Sequence, residues 1–124
     1  MFTDISNAIN RSNNILIIPH YNADGDCLGS SYALKLMLQE LGKKADVILD
    51  EKDYDNRILK ILDGVSCKND AFTPDLVISV DCADKQRMGT RVSAFDSCDF
   101  TINLDHHVTN DKYATYNFVN PIAA

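Results

Sequence analysis

The chain has 124 residues, one domain's worth, and enough to bury roughly two-thirds of its unfolded surface. A hydrophobic fraction of 45%, a charged fraction of 24% and only five glycines and three prolines describe an ordinary globular domain and exclude disorder or low complexity. Eighteen acids against twelve bases leave a net charge of −6, which excludes binding of duplex nucleic acid through a broad basic face.

In chain order, residues 3–13 read as an opening helix, with Thr3 or Asp4 as cap and Ile5, Ala8 and Ile9 as its apolar stripe. Ile15 to Ile18 is a β-branched apolar run suited to a strand buried on both faces, and it stops at Pro19. Asn22 to Ser31 is rich in Gly, Asp, Ser and Asn and reads as a loop. Ala33, Leu34, Met37, Leu38 and Leu41 recur at helical spacing, so a helix is expected over 30–41, capped by Ser30 or Ser31 and stopped by Gly42. Val47 to Leu49 is a second strand, and Ile58, Leu59, Ile61 and Leu62 form a short helix closed by Gly64. Leu76 to Val80 and Phe100 to Leu104 are a third and fourth strand, with a short helix between them near 87–96. Tyr116 to Val119 is a final strand. Strands alternating with helices predict an α/β domain with a mostly parallel sheet and right-handed crossovers.

The four cysteines, Cys27, Cys67, Cys82 and Cys98, never fall in a CxxC spacing, which excludes a zinc ribbon or thioredoxin-type motif. They read as reduced thiols of a cytoplasmic protein. The N-terminal stretch has no apolar signal region, and no run approaches the ~20 residues of a membrane span, so no membrane partner is expected.

The three histidines all lie in polar segments just past an apolar strand. His20 follows ILIIP, with Asp24 and Asp26 close behind. Asp81 follows LVISV, and Asp105, His106 and His107 follow FTINL. Ligands bind at the carboxyl ends of strands in an open parallel sheet, so three strands would deliver seven such residues to one edge. Singly each has a plain explanation: Asp24-Gly25 a turn, Asp81 a helix cap, His106-His107 surface polarity. Their convergence is what points to chemistry. Two carboxylates ~5 Å apart at an effective dielectric near 20 repel by ~3 kcal/mol, and divalent cations are the simplest compensation. Carboxylates mixed with imidazoles suit Mn²⁺, Mg²⁺, Fe²⁺ or Co²⁺. An EF-hand fails because Cys27 and Ala33 stand where glycine and glutamate are needed, and no GK[ST] is present for a P-loop. Asp50 after the second strand leaves a dinucleotide fold as a faint competitor, although GDCLGS lacks the third glycine.

The segments HYNADGDCLGS (20–30), VDCAD (80–84) and LDHHVTN (104–110) resemble the first three motifs of the DHH phosphoesterase family. The resemblance spans residues 15–120, and its spacing is most similar to that of the small bacterial members acting as oligoribonuclease and adenosine 3′,5′-bisphosphate phosphatase. It implies a dinuclear site, with Mn²⁺ as the expected metal and Mg²⁺ or Co²⁺ as substitutes. His20 and Asp24 would hold one ion, Asp26 and His106 the other, and Asp81 would bridge both. His107 would face the substrate phosphate, and Asp105 would orient the histidines. Arg87, Asn110 and Ser30 are the implied substrate contacts.

The family continues into a fourth motif with another metal-binding aspartate and then a C-terminal substrate-binding domain, neither of which occurs within residues 1–124. The resemblance therefore implies the N-terminal part of a DHH domain, incomplete at the C-terminus, binding one metal better than two and hydrolysing oligoribonucleotides poorly by itself. The expected activity of the parent protein is metal-dependent hydrolysis of short single-stranded RNA or nucleotide 3′,5′-bisphosphates by a hydroxide that two metals activate. A pyrophosphatase of the family II type, and a non-catalytic metal- or nucleotide-binding module, remain the alternatives.

Overall fold

The computed structural model describes residues 2–22, 25–49 and 73–120. Helix α1 (Phe2–Arg11) precedes β1 (Asn14–Pro19), and α2 (Gly25–Glu40) leads to β2 (Lys44–Val47). After β3 (Leu76–Val80) come a 3-10 helix (Lys85–Arg91), the short α3 (Val92–Asp96), β4 (Thr101–Asp105) and β5 (Tyr116–Val119). The described strands form one sheet in the order β2-β1-β3-β4-β5, with every neighbouring pair parallel. This is the α/β architecture that the alternation of elements predicts. The expected helix at 58–62 lies outside the described residues.

Both faces of the sheet are covered, which is why β1 and β3 are almost continuously apolar. On one face Ile15, Ile17, Leu76, Ile78 and Ile102 pack against Ile5 and Ala8 of α1 and Cys27, Leu28, Tyr32 and Leu38 of α2. On the other, Leu16, Ile18 and Val77 pack against Met88 and Phe95. Pro19 ends β1, where its missing N–H interrupts the ladder least.

Helix α2 departs from the sequence reading at its start. It begins at Gly25, so Ser30 and Ser31 lie inside it and neither caps it; Ser31 instead donates to the Cys27 carbonyl at 2.8 Å. Cys27, Leu28, Ser31 and Tyr32 fall on the face that meets the sheet, and their burial outweighs the poor helix propensity of GDCLGSS. The buried face is correspondingly rotated: Leu38 is buried, but Met37 and Leu41, expected inside, are more than half exposed. Its C-terminus follows expectation. Gly42 at φ 83° donates to the Gln39 carbonyl, and Lys43 donates to that of Leu38, the paired bonds of a Schellman stop.

Strand β2 sits earlier than the apolar run at 47–49. As the edge strand it alternates, exposing Lys44 and burying Ala45 and Val47, so its pairing with β1 runs from Asn14↔Lys44 to Ile17↔Val47. The helix expected near 87–96 is divided, because Gly89 at φ 59°, ψ −133° breaks the helical path.

Candidate metal centre at the carboxyl edge of the sheet

The strand order reverses direction between β1 and β3: the chain steps outward from β1 to β2 on one side and through β3, β4 and β5 on the other. Such a switch point opens a crevice at the carboxyl ends of the strands. His20 and Asp81 flank it. The His20 N–H donates to the Val80 carbonyl at 3.1 Å, and the Asp81 N–H donates to the Leu104 carbonyl at 2.9 Å. These bonds extend the ladders one residue past β1 and β3 and set His20, Asp81 and the end of β4 side by side.

Asp81 leaves its strand at φ 62°, a left-handed conformation that costs a non-glycine residue of order 1 kcal/mol, least for Asp and Asn. Its Oδ1 lies 3.0 Å from His106 Nε2 and 3.7 Å from His107 Nδ1. Asp105 is the last residue of β4, its side chain fully buried, and its Oδ1 lies 2.6 Å from His107 Nδ1. The two imidazoles stack with centroids 4.6 Å apart. One potential ligand atom from each of Asp81, Asp105, His106 and His107 lies within 4.8 Å of all the others.

The electrostatics of the two carboxylates differ. Burial pushes the Asp105 carboxyl upward, but hydrogen bonds from Asn110, His107 and the His106 backbone, with the His107 charge, outweigh it and hold the group below the usual carboxylate range. Asp81 is a quarter exposed, and its carboxylate faces the imidazoles of His106 and His107. Carboxylate oxygens and imidazole nitrogens converging on a space this small are donors of the type a first-row divalent ion takes, and the cluster fits such a metal through Asp81 and His106. Among the described residues the cysteines do not take part. Cys27, Cys82 and Cys98 form no disulfide, and burial pushes Cys82 far above the usual thiol range, so it is a protonated core side chain.

The other residues singled out in the sequence fall around this cluster. His20 stands at the neighbouring strand end with its ring stacked on Tyr21 and its Nδ1 against the Tyr21 carbonyl. Asp26 is exposed in the first turn of α2, where a carboxylate suits the helix dipole. Asp24 lies outside the described residues. Arg87 is tied to the edge through its carbonyl, which accepts the Tyr21 N–H at 2.7 Å, while its guanidinium lies 3.8 Å from Asp84. Ser30 is exposed but past the first turn of α2, so its N–H is not among those left unpaired at a helix start.

Asn110 has its side chain turned into the protein. Its amide nitrogen donates inward to Asp105 Oδ2 at 2.7 Å and to Asn103 Oδ1 at 2.6 Å, and its oxygen accepts the Lys112 N–H at 2.6 Å. Asn103 was missed in the sequence, although a polar residue two before Asp105 on the same strand face is a readable signal. A shallow cleft lined by Asp84, Lys85, Gln86, Asp111 and Tyr113 opens between the loops that follow β3 and β4.

Fold and site together define a parallel α/β domain with a carboxylate–imidazole cluster at its switch point. The model of the DHH family, N-terminal domain, matches residues 14–124, and the chain belongs to that family. It is 30% identical over 121 residues to the bifunctional oligoribonuclease and PAP phosphatase NrnA of Thermus thermophilus, an alignment covering 89% of this chain and 33% of the relative. The chain thus spans about a third of that relative's length. A crystal structure of an exopolyphosphatase-related protein from Bacteroides fragilis superposes with a TM-score of 0.73 at 19% identity, covering 96% of this chain and 38% of that one, and it shares the fold. No helix among the described residues is long and apolar enough to cross a membrane.

Proposed function

We propose that the protein containing this chain is a metal-dependent phosphoesterase acting on short oligoribonucleotides or nucleotide 3′,5′-bisphosphates. The observation that carries this reading is the convergence of Asp81, Asp105, His106 and His107 within 4.8 Å at the switch point of a DHH-family sheet. The similarity to a bifunctional oligoribonuclease and PAP phosphatase supports the substrate class.

In this reading Asp81, His106, His20, Asp24 and Asp26 would hold two divalent ions, with Mn²⁺ as the proposed metal and Asp81 contributing to both sites. Such ions would supply a water acidified to near neutrality and charge stabilisation on the phosphoryl oxygens. The chain's own contribution is positioning. Asp105 accepts the Nδ1 proton of His107, which leaves Nε2 of that ring for the phosphate side. Arg87, beside the same edge, is the cation available to a non-bridging phosphate oxygen once it leaves Asp84.

The test is hydrolysis of a ribodinucleotide, adenosine 3′,5′-bisphosphate and pyrophosphate with Mn²⁺, using both this chain and the longest reading frame that contains it. Turnover of the first two that EDTA and Asp81→Asn abolish is expected. Turnover indifferent to both treatments, or confined to pyrophosphate, would overturn the reading.

A further inference from the structure

The face of the sheet packed by Leu16, Ile18, Val77, Met88 and Phe95 carries a buried polar knot. Ser79 of β3 and Asn103 of β4 are register partners, both fully buried, and Tyr113 from the following loop closes over them. Asn103 Nδ2 lies 2.8 Å from Ser79 Oγ, 2.9 Å from Tyr113 Oη and 3.1 Å from the Cys82 carbonyl oxygen. The Tyr113 hydroxyl donates to that same carbonyl at 2.8 Å.

An apolar pair would serve the packing of this face without the desolvation of an amide and two hydroxyls. What the amide adds is direction. A carbonyl oxygen only accepts, so Asn103 must turn its nitrogen toward Cys82 and its oxygen toward Asn110. Asn110 must then present its nitrogen to Asn103, and the second hydrogen of that nitrogen goes to Asp105 Oδ2. Asp105 is left with Oδ1 for His107, and a carboxylate can only accept, so Nδ1 of His107 carries the proton. The two amides thus have one allowed polarity from the main chain of residue 82 to Asp105, and by fixing Oδ2 of that carboxylate they fix where its Oδ1 meets the half-buried imidazole of His107.

We infer that Asn103, braced by Ser79 and Tyr113, is a positioning residue that acts through Asn110 and Asp105 to hold His107 as its Nδ1–H tautomer with Nε2 turned to the reaction edge. The catalytic meaning of this assignment rests on the role proposed for His107. Its test needs no turnover, so the two can fail separately.

The readout is the pair of His107 ring ¹⁵N shifts from long-range ¹H–¹⁵N correlation in the metal-free chain, at a pH well above the ordinary imidazole range. The native chain is expected to show one protonated and one unprotonated ring nitrogen, the proton on Nδ1. Asn103→Leu, close in volume, should move both shifts toward the averaged values of exchanging tautomers, and leave those of His20 unmoved. Tyr113→Phe keeps the ring and deletes only the hydroxyl, so it serves as the second arm if Asn103→Leu does not fold; a smaller shift in the same direction is expected. In a longer protein that turns over, either variant should lower kcat more than it raises KM. An Nδ1–H tautomer as pure in folded Asn103→Leu as in the native chain would overturn the inference. So would native shifts in Tyr113→Phe should Asn103→Leu not fold.

Discussion

Replacing Asp81 with asparagine should have opposite effects on the metal-free and metal-loaded chain. Asparagine tolerates the φ of 62° at this position and can still hydrogen-bond His106, so the change removes charge with little else. At the largest ligand-atom separation in the cluster, 4.8 Å, two carboxylates repel by about 3.5 kcal/mol at an effective dielectric of 20. Asp81 is partly exposed, and water and salt reduce that figure to about 1 kcal/mol. The metal-free variant should therefore melt about 3–5 °C higher than the native chain at pH about 8. For the native chain, a divalent ion at a hundred times its dissociation constant adds about 2.7 kcal/mol, or roughly 10 °C. The variant should lose most of that response, because it removes the more accessible of the two carboxylates. Melting curves followed by circular dichroism, with EDTA and with Mn²⁺ or Mg²⁺, give all four values. Mn²⁺ should act at lower concentration than Mg²⁺, since imidazole ligands favour the softer ion. A metal-free variant that melts lower than the native chain while keeping its full metal response would refute the clustered-carboxylate reasoning.

Asp105 contributes stability that is present above its unfolded pKa and lost as pH falls through its depressed folded pKa. Asn110→Ala removes one of the bonds that depress it, so the acid limb of a urea-melt series should move to higher pH with a loss of about 1–3 kcal/mol at neutral pH; an unmoved limb would contradict the assigned bond. Gly42→Ala meets no atom within 4 Å of the added Cβ, so only its φ of 83° opposes it; equilibrium unfolding should show a cost of about 1 kcal/mol, and a neutral result would contradict the Schellman geometry. Leu38→Ala should cost about 2–5 kcal/mol and Leu36→Lys less than about 0.5, because the first side chain is buried and the second is 61% exposed; comparable losses would place the wrong face of α2 against the sheet.

Much of this protein is legible along the chain because its signals are local. The apolar runs at 15–18 and 76–80 mark strands covered on both faces, and each is followed within two residues by a chemically distinctive one, His20 or Asp81. Parallel connectivity then carries those residues to one edge without further information. The Gly42 stop and the strand at 116–119 are equally local. What the chain alone misassigns depends on burial. The loop-like composition of 25–31 becomes helix because Cys27, Leu28, Ser31 and Tyr32 meet the sheet, and periodicity restricted to Leu and Met chooses the wrong face of the same helix. Hydrogen-bond direction is hidden further still. Asn103, Asn110 and the Cys82 carbonyl are separated along the sequence, and only the register of β3 against β4 brings them into one chain of bonds whose polarity ends at His107. Residue type decides which atoms can donate or accept, but only packing decides which of them meet.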